Sequence, residues 1–205
     1  MKQFPKLRRN GGFSLVELLT VIAIGVALMA LAGGAVLGLA RTSRVTTASN
    51  MVMDALAQAR QRAVTQNSRV EVRFYQLPPL SGAGAAEYRA LRAVRIGQDG
   101  ITTELERVQR LPDTVIISDL PAQNAIFSAT TEEREDISPE QKNIAYRAIT
   151  FLPNGQTELN LGLDKKWFLT LYDGQQAANA PNHLPNNYAV VQIDAFTGNA
   201  RLLRP

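Results

Sequence analysis

Two features of the first forty residues have the types and spacing to do chemistry, and in both the chemistry falls on the chain itself. The first is the pair Gly11-Gly12, followed by Phe13 and set in front of a long apolar run. A secretory signal is cut after its apolar region, near small residues. A cut after Gly12 would do the reverse: it would remove MKQFPKLRRNGG, with Lys2, Lys6, Arg8 and Arg9, and leave the apolar helix on the product. The second is Glu17, a carboxylate one turn into that run. A charge at mid-bilayer costs roughly 2.5–3.5 kcal/mol, so such a residue calls for a partner. Cleavage supplies one, because the new amino group of Phe13 lies four residues from Glu17 on the same helix face, within reach inside the chain or from a neighbouring copy.

No other constellation reads as an active site. His183 is the only histidine and sits in a proline-rich stretch, so a histidine-based triad or metal centre would have to rest on it alone. There is no cysteine, which rules out disulfides and thiolate metal sites. Gly12-Phe13-Ser14 fails the hydrolase elbow because Val16 stands where the second glycine belongs. Phosphate-cradling and dinucleotide glycine loops are missing, and Glu104 and Glu106 read as the outward face of a strand. The expectation is a protein with no catalytic residues, no cofactor and no metal.

The elements that must position these residues begin with the run itself. Residues 21–40 are uninterrupted apolar sequence, and going back to Phe13 adds only Ser14, Glu17 and Thr20 as polar breaks. At about 1.5 Å per residue such a helix spans a hydrocarbon core of ~30 Å. The positive flank before it has no acid, which keeps that end cytoplasmic and sends the rest across. Ala30, Gly34 and Gly38 recur every four residues, a small-residue ridge suited to close helix packing, and Gly33-Gly34 is a candidate weak point. Of the 22 basic residues four lie in the leader, so the trimmed chain balances at 18 basic against 18 acidic residues, and its charge gives no argument for nucleic acid.

Residues 41–67 continue the helix but turn amphipathic. Val45, Ala48, Val52, Ala55, Leu56, Ala59 and Ala63 recur at steps of three and four, while Arg60, Gln61, Arg62 and Gln66 face elsewhere, and Asn67-Ser68 is a stop signal. Period-two alternation then takes over: Val70, Val72 and Phe74 alternate with Glu71 and Arg73. Further strands are expected at 88–96, 102–109, 115–118, 145–152, 157–161, 167–172, 188–194 and 200–203, separated by turn signals. Residues 128–143, with Glu132, Glu133, Glu135 and Asp136, read as a solvated excursion with a helical turn begun at Ser138-Pro139, and 177–187 as a second exposed loop. The 165 residues beyond the apolar run are enough for one modest domain.

The stretch GGFSLVELL, followed by a long apolar helix, resembles the N-terminus of type IV pilins and type II secretion pseudopilins. That resemblance implies a prepilin peptidase cutting between Gly12 and Phe13, methylation of the Phe13 amine, and a role for Glu17 in registering subunits during assembly. Many members of that family carry a proline within the helix, where this chain has Gly33-Gly34. Three further stretches, LAQARQRAVTQNSRV from Leu56, ITFLPNG from Ile149 and VVQIDAFTGNAR from Val190, resemble the minor pseudopilins of the GspH and FimT type.

The implied organisation is α+β: a leader at 1–12, a transmembrane and assembly helix at 13–40, its amphipathic half at 41–67, and a β-rich periplasmic head at 68–205 on a mostly antiparallel sheet. The implied function is that of a minor pilin or pseudopilin, anchored in the bacterial inner membrane. Its partners would be other pilin or pseudopilin subunits met through the N-terminal helix, the prepilin peptidase, and the assembly platform of the filament machine. Two alternatives stand beside it. One is an unprocessed single-pass anchored domain. The other is a DNA-binding minor pilin for uptake: the FimT-like receptors carry a Gly-Arg-x-Arg cluster at the closing turn, whereas this chain has GNARLLRP, with Asn199 in place of the first arginine and only Arg201 and Arg204 to touch phosphates.

Overall fold

The alanine stripe of the long helix decides how the head is built. In the computed structural model, residues 13–80, 82, 84–159, 166–177 and 184–204 are described, those of 30–40 by their backbone alone. Helix α1 spans Leu15–Thr65. The chain divides into two compact units, Met1–Ala40 and Arg41–Pro205, and α1 contributes to both.

In the second unit α1 presents Val45, Ala48, Val52, Ala55, Leu56, Ala59 and Ala63, all buried, as the periodicity requires. Small side chains let a helix lie close on a sheet, so alanine here gains contact where leucine would hold the backbones apart. The helix stops in a Schellman arrangement. Asn67 takes φ 46°, the Ser68 N–H donates to the Ala63 carbonyl at 3.1 Å, and the Asn67 N–H donates to that of Val64 at 3.4 Å. Asparagine tolerates the left-handed conformation better than most residues, which is why the stop falls there.

The head continues through β1 (Arg69–Leu77), β2 (Glu87–Ile96), β3 (Thr102–Glu104), β4 (Gln109–Arg110), β5 (Val115–Ile117), α2 (Ala125–Ala129), β6 (Glu133–Glu135), β7 (Ile144–Phe151), β8 (Trp167–Asp173), α3 (Gly174–Ala177), β9 (Tyr188–Ile193) and β10 (Ala200–Leu203). Among the described residues they form one sheet in the order β10-β9-β8-β5-β2-β1-β7-β6, with β3 and β4 also pairing with β2. Every pairing is antiparallel. The architecture is therefore the α+β arrangement expected, a helix against a large antiparallel sheet.

One face of the sheet joins the helix stripe in the main core. Val70, Val72 and Phe74 of β1, Ile149 and Phe151 of β7, Leu169 and Leu171 of β8, and Val191 and Ile193 of β9 belong to it. Phe127 of α2 closes one end, its ring 4.4 Å from Tyr88 and 5.7 Å from Phe74 between centroids. Asn124 caps α2, accepting from the Phe127 N–H at 3.0 Å while its amide donates to the Ser118 carbonyl at 2.7 Å.

The three stretches that carry the minor-pseudopilin resemblance converge at the C-terminal end of α1. Arg60 Nε donates to the Thr197 carbonyl at 2.6 Å, and the Thr157 N–H reaches the Ala195 carbonyl at 2.9 Å. Gly198 has φ +65°, and a Cβ there would stand 2.2 Å from the Gly155 carbonyl oxygen. Neither the conformation nor the space admits a side chain, so Gly198→Ala is expected to cost about 1–3 kcal/mol in urea unfolding, more than alanine at an exposed turn glycine.

Four expectations change. The strand expected at 102–109 is interrupted: it pairs only at Thr102–Glu104 and Gln109–Arg110. The strand expected at 157–161 is reduced to a single bridge between Thr157 and Phe151, with 160 and 161 outside the described residues. At Ser138-Pro139 there is a tight turn instead of a helical start, the Gln141 N–H donating to the Ser138 carbonyl at 3.1 Å. Lastly, residues 128–143 are more than a solvated excursion, because β6 pairs with β7 and carries Glu135 against the face of the sheet remote from α1.

Candidate functional site

At the start of α1 the two residues singled out for chemistry form a reciprocal cap. Ser14 Oγ accepts the Glu17 N–H at 3.2 Å, and the Glu17 carboxylate accepts the Ser14 N–H at 3.1 Å, with the Ser14 hydroxyl 3.3 Å from the same oxygen. This is a capping box, which satisfies two backbone donors that a helix start leaves open. It also puts a negative charge in the first turn, where the helix dipole favours one. Thr20 turns its hydroxyl back to the Val16 carbonyl at 2.6 Å, so all three polar side chains of this apolar stretch are satisfied locally.

Ser-x-x-Glu before an apolar run is the sequence signature of this cap, which gives Glu17 partners besides the expected Phe13 amine. Phe13 stands outside the helix and is 85 % exposed. Ser14→Ala should fray the first turn at a cost of about 1 kcal/mol, seen as faster amide exchange at residues 15–18, with Ser14→Asp restoring protection.

From Leu15 to Met29 the large apolar side chains are exposed, Leu15, Leu18, Leu19, Val21, Ile22, Ile24, Val26, Leu28 and Met29 among them. Among the described residues no helix is long and apolar enough to cross a membrane. The apolar run at 21–40 is only partly among them, since the side chains of 30–40 lie outside. Also outside the described residues are Gly12 with the rest of the leader, the side-chain surroundings of Ala30, Gly34 and Gly38, and His183.

The other concentration of charge lies in the head. Arg73 of β1 and Arg92 of β2 face each other across the strand pair, with their side chains only 6 % and 4 % exposed. Glu135 bridges them, pairing with Arg73 and, at 2.8 Å, with Arg92. Glu71 sits 2.8 Å from Arg73 and Glu104 2.7 Å from Arg92. The Tyr75 hydroxyl donates to Glu135 and that of Tyr146 to Glu133. Burial, reinforced by these carboxylate acceptors, pushes both phenols well above the ordinary tyrosine range and keeps them protonated as donors. The arginine planes lie over rings, Arg73 4.7 Å from the Tyr146 centroid and Arg92 5.6 Å from that of Tyr75. Both arginines are paired with carboxylates, and Glu133 is held by the Tyr146 hydroxyl, the pattern of a structural network.

Arg201 and Arg204 are exposed at the end of the chain, on and just after β10. Among the described residues no three histidine, cysteine or carboxylate groups come together as metal ligands.

The cap, the exposed apolar face behind it and the Gly12-Phe13 junction in front coincide with a known sequence family. Residues 7–33 match the prokaryotic N-terminal methylation motif. No curated protein matches the chain. Among solved structures, the minor pseudopilin EpsH of the type 2 secretion system of Vibrio cholerae is similar at 11 % identity and TM-score 0.44, over 79 % of this chain and 98 % of that one. The type IV minor pilin FimU of Pseudomonas aeruginosa is similar at 14 % identity and TM-score 0.43, over 77 % and 91 %. Gly12, Phe13 and Glu17 all lie within the matched residues.

Proposed function

We propose that the chain is a minor pilin or pseudopilin, made as a prepilin in the inner membrane and trimmed after Gly12. It is methylated on Phe13 and built by helix packing into a type IV pilus or a type II secretion pseudopilus. The observation that carries this reading is the methylation motif at 7–33 placed on a capped helix whose apolar side chains face outward. Exposed apolar surface on that scale needs lipid or other helices to cover it. A filament subunit uses both in turn: lipid while it waits in the membrane, neighbouring helices once assembled.

The leader's cations keep the cut end in the cytoplasm and place the sheet outside it. Ala30, Gly34 and Gly38 would then lie at helix contacts, and the sheet would be the surface that the filament displays. The peptidase and the assembly platform act on this chain, so no catalytic group of its own is required.

The test is the intact mass and N-terminal sequence of the protein recovered from membranes of its native host. An N-methylated Phe13 terminus is expected. A chain still beginning at Met1 would overturn the reading and leave a single-pass anchored domain.

A further inference from the structure

The sheet of the head is open at both ends, and its two free edges carry opposite charge. At one end β10 and the residue after it read Ala200-Arg201-Leu202-Leu203-Arg204, with Arg201, Leu203 and Arg204 exposed. At the other end β6 lies within Glu132-Glu133-Arg134-Glu135-Asp136, with Glu132, Glu133, Arg134 and Asp136 exposed, three acids against one base, Arg134 standing 3.4 Å from Glu132. Among the described residues neither strand has a partner on its outer side. Glu135 is engaged by Arg73 and Arg92, so the acid that this edge offers outward comes from its neighbours.

Unpaired strand edges are templates for another strand, and proteins blunt them with charge where pairing would be harmful. Here charge discriminates between the possible pairings. Two β10 edges would set arginines against arginines, and two β6 edges would bring together surfaces that are each net acidic, with Arg134 the single base on either. Like charges directly opposite are unfavourable on a sheet, and opposite charges are favourable. Only β10 against β6 is attractive, and that requires two molecules.

Strand direction agrees. The path from β10 to β6 has eight strands joined by antiparallel steps throughout. With an even number, the two end strands run in opposite directions. A second copy carried along the sheet without being turned over therefore presents β10 antiparallel to β6 and continues the alternation. Because sheets twist, repetition of that step generates a screw, an open-ended contact in place of a closed dimer.

We propose that the heads of two copies of this chain join edge to edge, β10 of one pairing with β6 of the next, with Arg201 and Arg204 set against Glu132, Glu133 and Asp136. The contact involves the head alone and stands apart from any packing of the N-terminal helices, so it does not rest on the pilin reading.

The absence of native cysteine makes the test clean. Full-length protein in detergent micelles is prepared as two singly substituted forms with different tags, Leu203→Cys on β10 and Arg134→Cys on β6, and treated with a short bifunctional thiol reagent. The mixture should give several times more cross-linked pair than either form alone. Glu132→Lys with Glu133→Lys on the β6 form should reduce that yield about ten-fold, as loss of two or three partly exposed ion pairs implies. Arg201→Glu with Arg204→Glu on the β10 form should restore it, which also shows that the reversed β6 form is folded. Equal yields from the mixture and from each form alone, or a yield indifferent to charge reversal and its rescue, would overturn the proposal.

Discussion

Glu135→Ala is expected to cost the head about 3–5 kcal/mol of stability, the range for removing one member of a buried ion pair and leaving its partners buried and charged. Arg73 and Arg92 stand directly opposite each other, and Glu135 is the one carboxylate of the network that pairs with both. Without it each arginine keeps a single acid, Glu71 or Glu104, and Glu104 is itself 67 % exposed. The repulsion between the guanidinium groups is then poorly screened at low local dielectric. Tyr75 loses the acceptor of its hydroxyl as well. Urea unfolding followed by far-ultraviolet circular dichroism measures the loss. Glu135→Gln should recover part of it, since an amide oxygen still accepts two hydrogen bonds but carries no charge. Replacing the network together, by Arg73→Met, Arg92→Met, Glu135→Leu, Glu71→Gln and Tyr75→Phe, should be far milder than Glu135→Ala, because the one network charge then left without its partner, Glu104, is 67 % exposed. If Glu135→Ala unfolds at the same urea concentration as the parent, the network contributes nothing and β6 is held by its pairing with β7 alone.

That cluster also marks where the sequence stopped being legible. The alanine stripe of α1 could be read residue by residue, because a helix repeats every 3.6 residues and the buried positions depend only on one neighbouring surface. Strands β1, β2, β7, β8, β9 and β10 were legible by alternation and turn signals for the same local reason. Arg73 is different. In Val70-Glu71-Val72-Arg73-Phe74 alternation puts the charged residues on one face but does not say what covers that face. A segment some sixty residues further on covers it: Glu135 pairs with Arg73 and Arg92, and Ile137 and Ile144 pack against Tyr75, Leu77, Ala90 and Tyr146. Alternation reports only which residues share a face, and a strand of three residues such as Glu133–Glu135 is too short to show a period. The acidic run looked like a solvated loop because its partners are arginines distant in sequence.

At the N-terminus the legibility runs the other way. Glu17 is conspicuous as a carboxylate in an apolar stretch, and the partner expected for it, the Phe13 amine, exists only after cleavage. The capping box gives it one beforehand. A carboxylate held by the Ser14 N–H and hydroxyl at the helix start would be less costly in a membrane than a bare one. On the proposed reading, cleavage after Gly12 would then place a positive amine next to a carboxylate that is already oriented.

Glu17→Ala is accordingly expected to leave the protein membrane-bound and cut after Gly12 yet poorly incorporated into filaments. Half of the cap survives the change, because Ser14 Oγ still accepts the backbone N–H of residue 17, and what is lost is the charge together with the acceptor of the Ser14 N–H. A hydrogen bond between charged groups contributes about 1.5–3 kcal/mol, so incorporation should fall roughly ten- to a hundred-fold, read as the ratio of sheared-filament to membrane-bound subunit. Two companion variants separate charge from helix. Glu17→Gln keeps an acceptor for the Ser14 N–H but no charge and should assemble as poorly as alanine. Ser14→Ala keeps the charge and weakens the cap, and should assemble far better than either. Should Ser14→Ala and Glu17→Ala prove equally defective while Glu17→Gln assembles normally, the cap itself, and not the charge offered to Phe13, would be what assembly requires. Full incorporation of Glu17→Ala would remove Glu17 from assembly altogether.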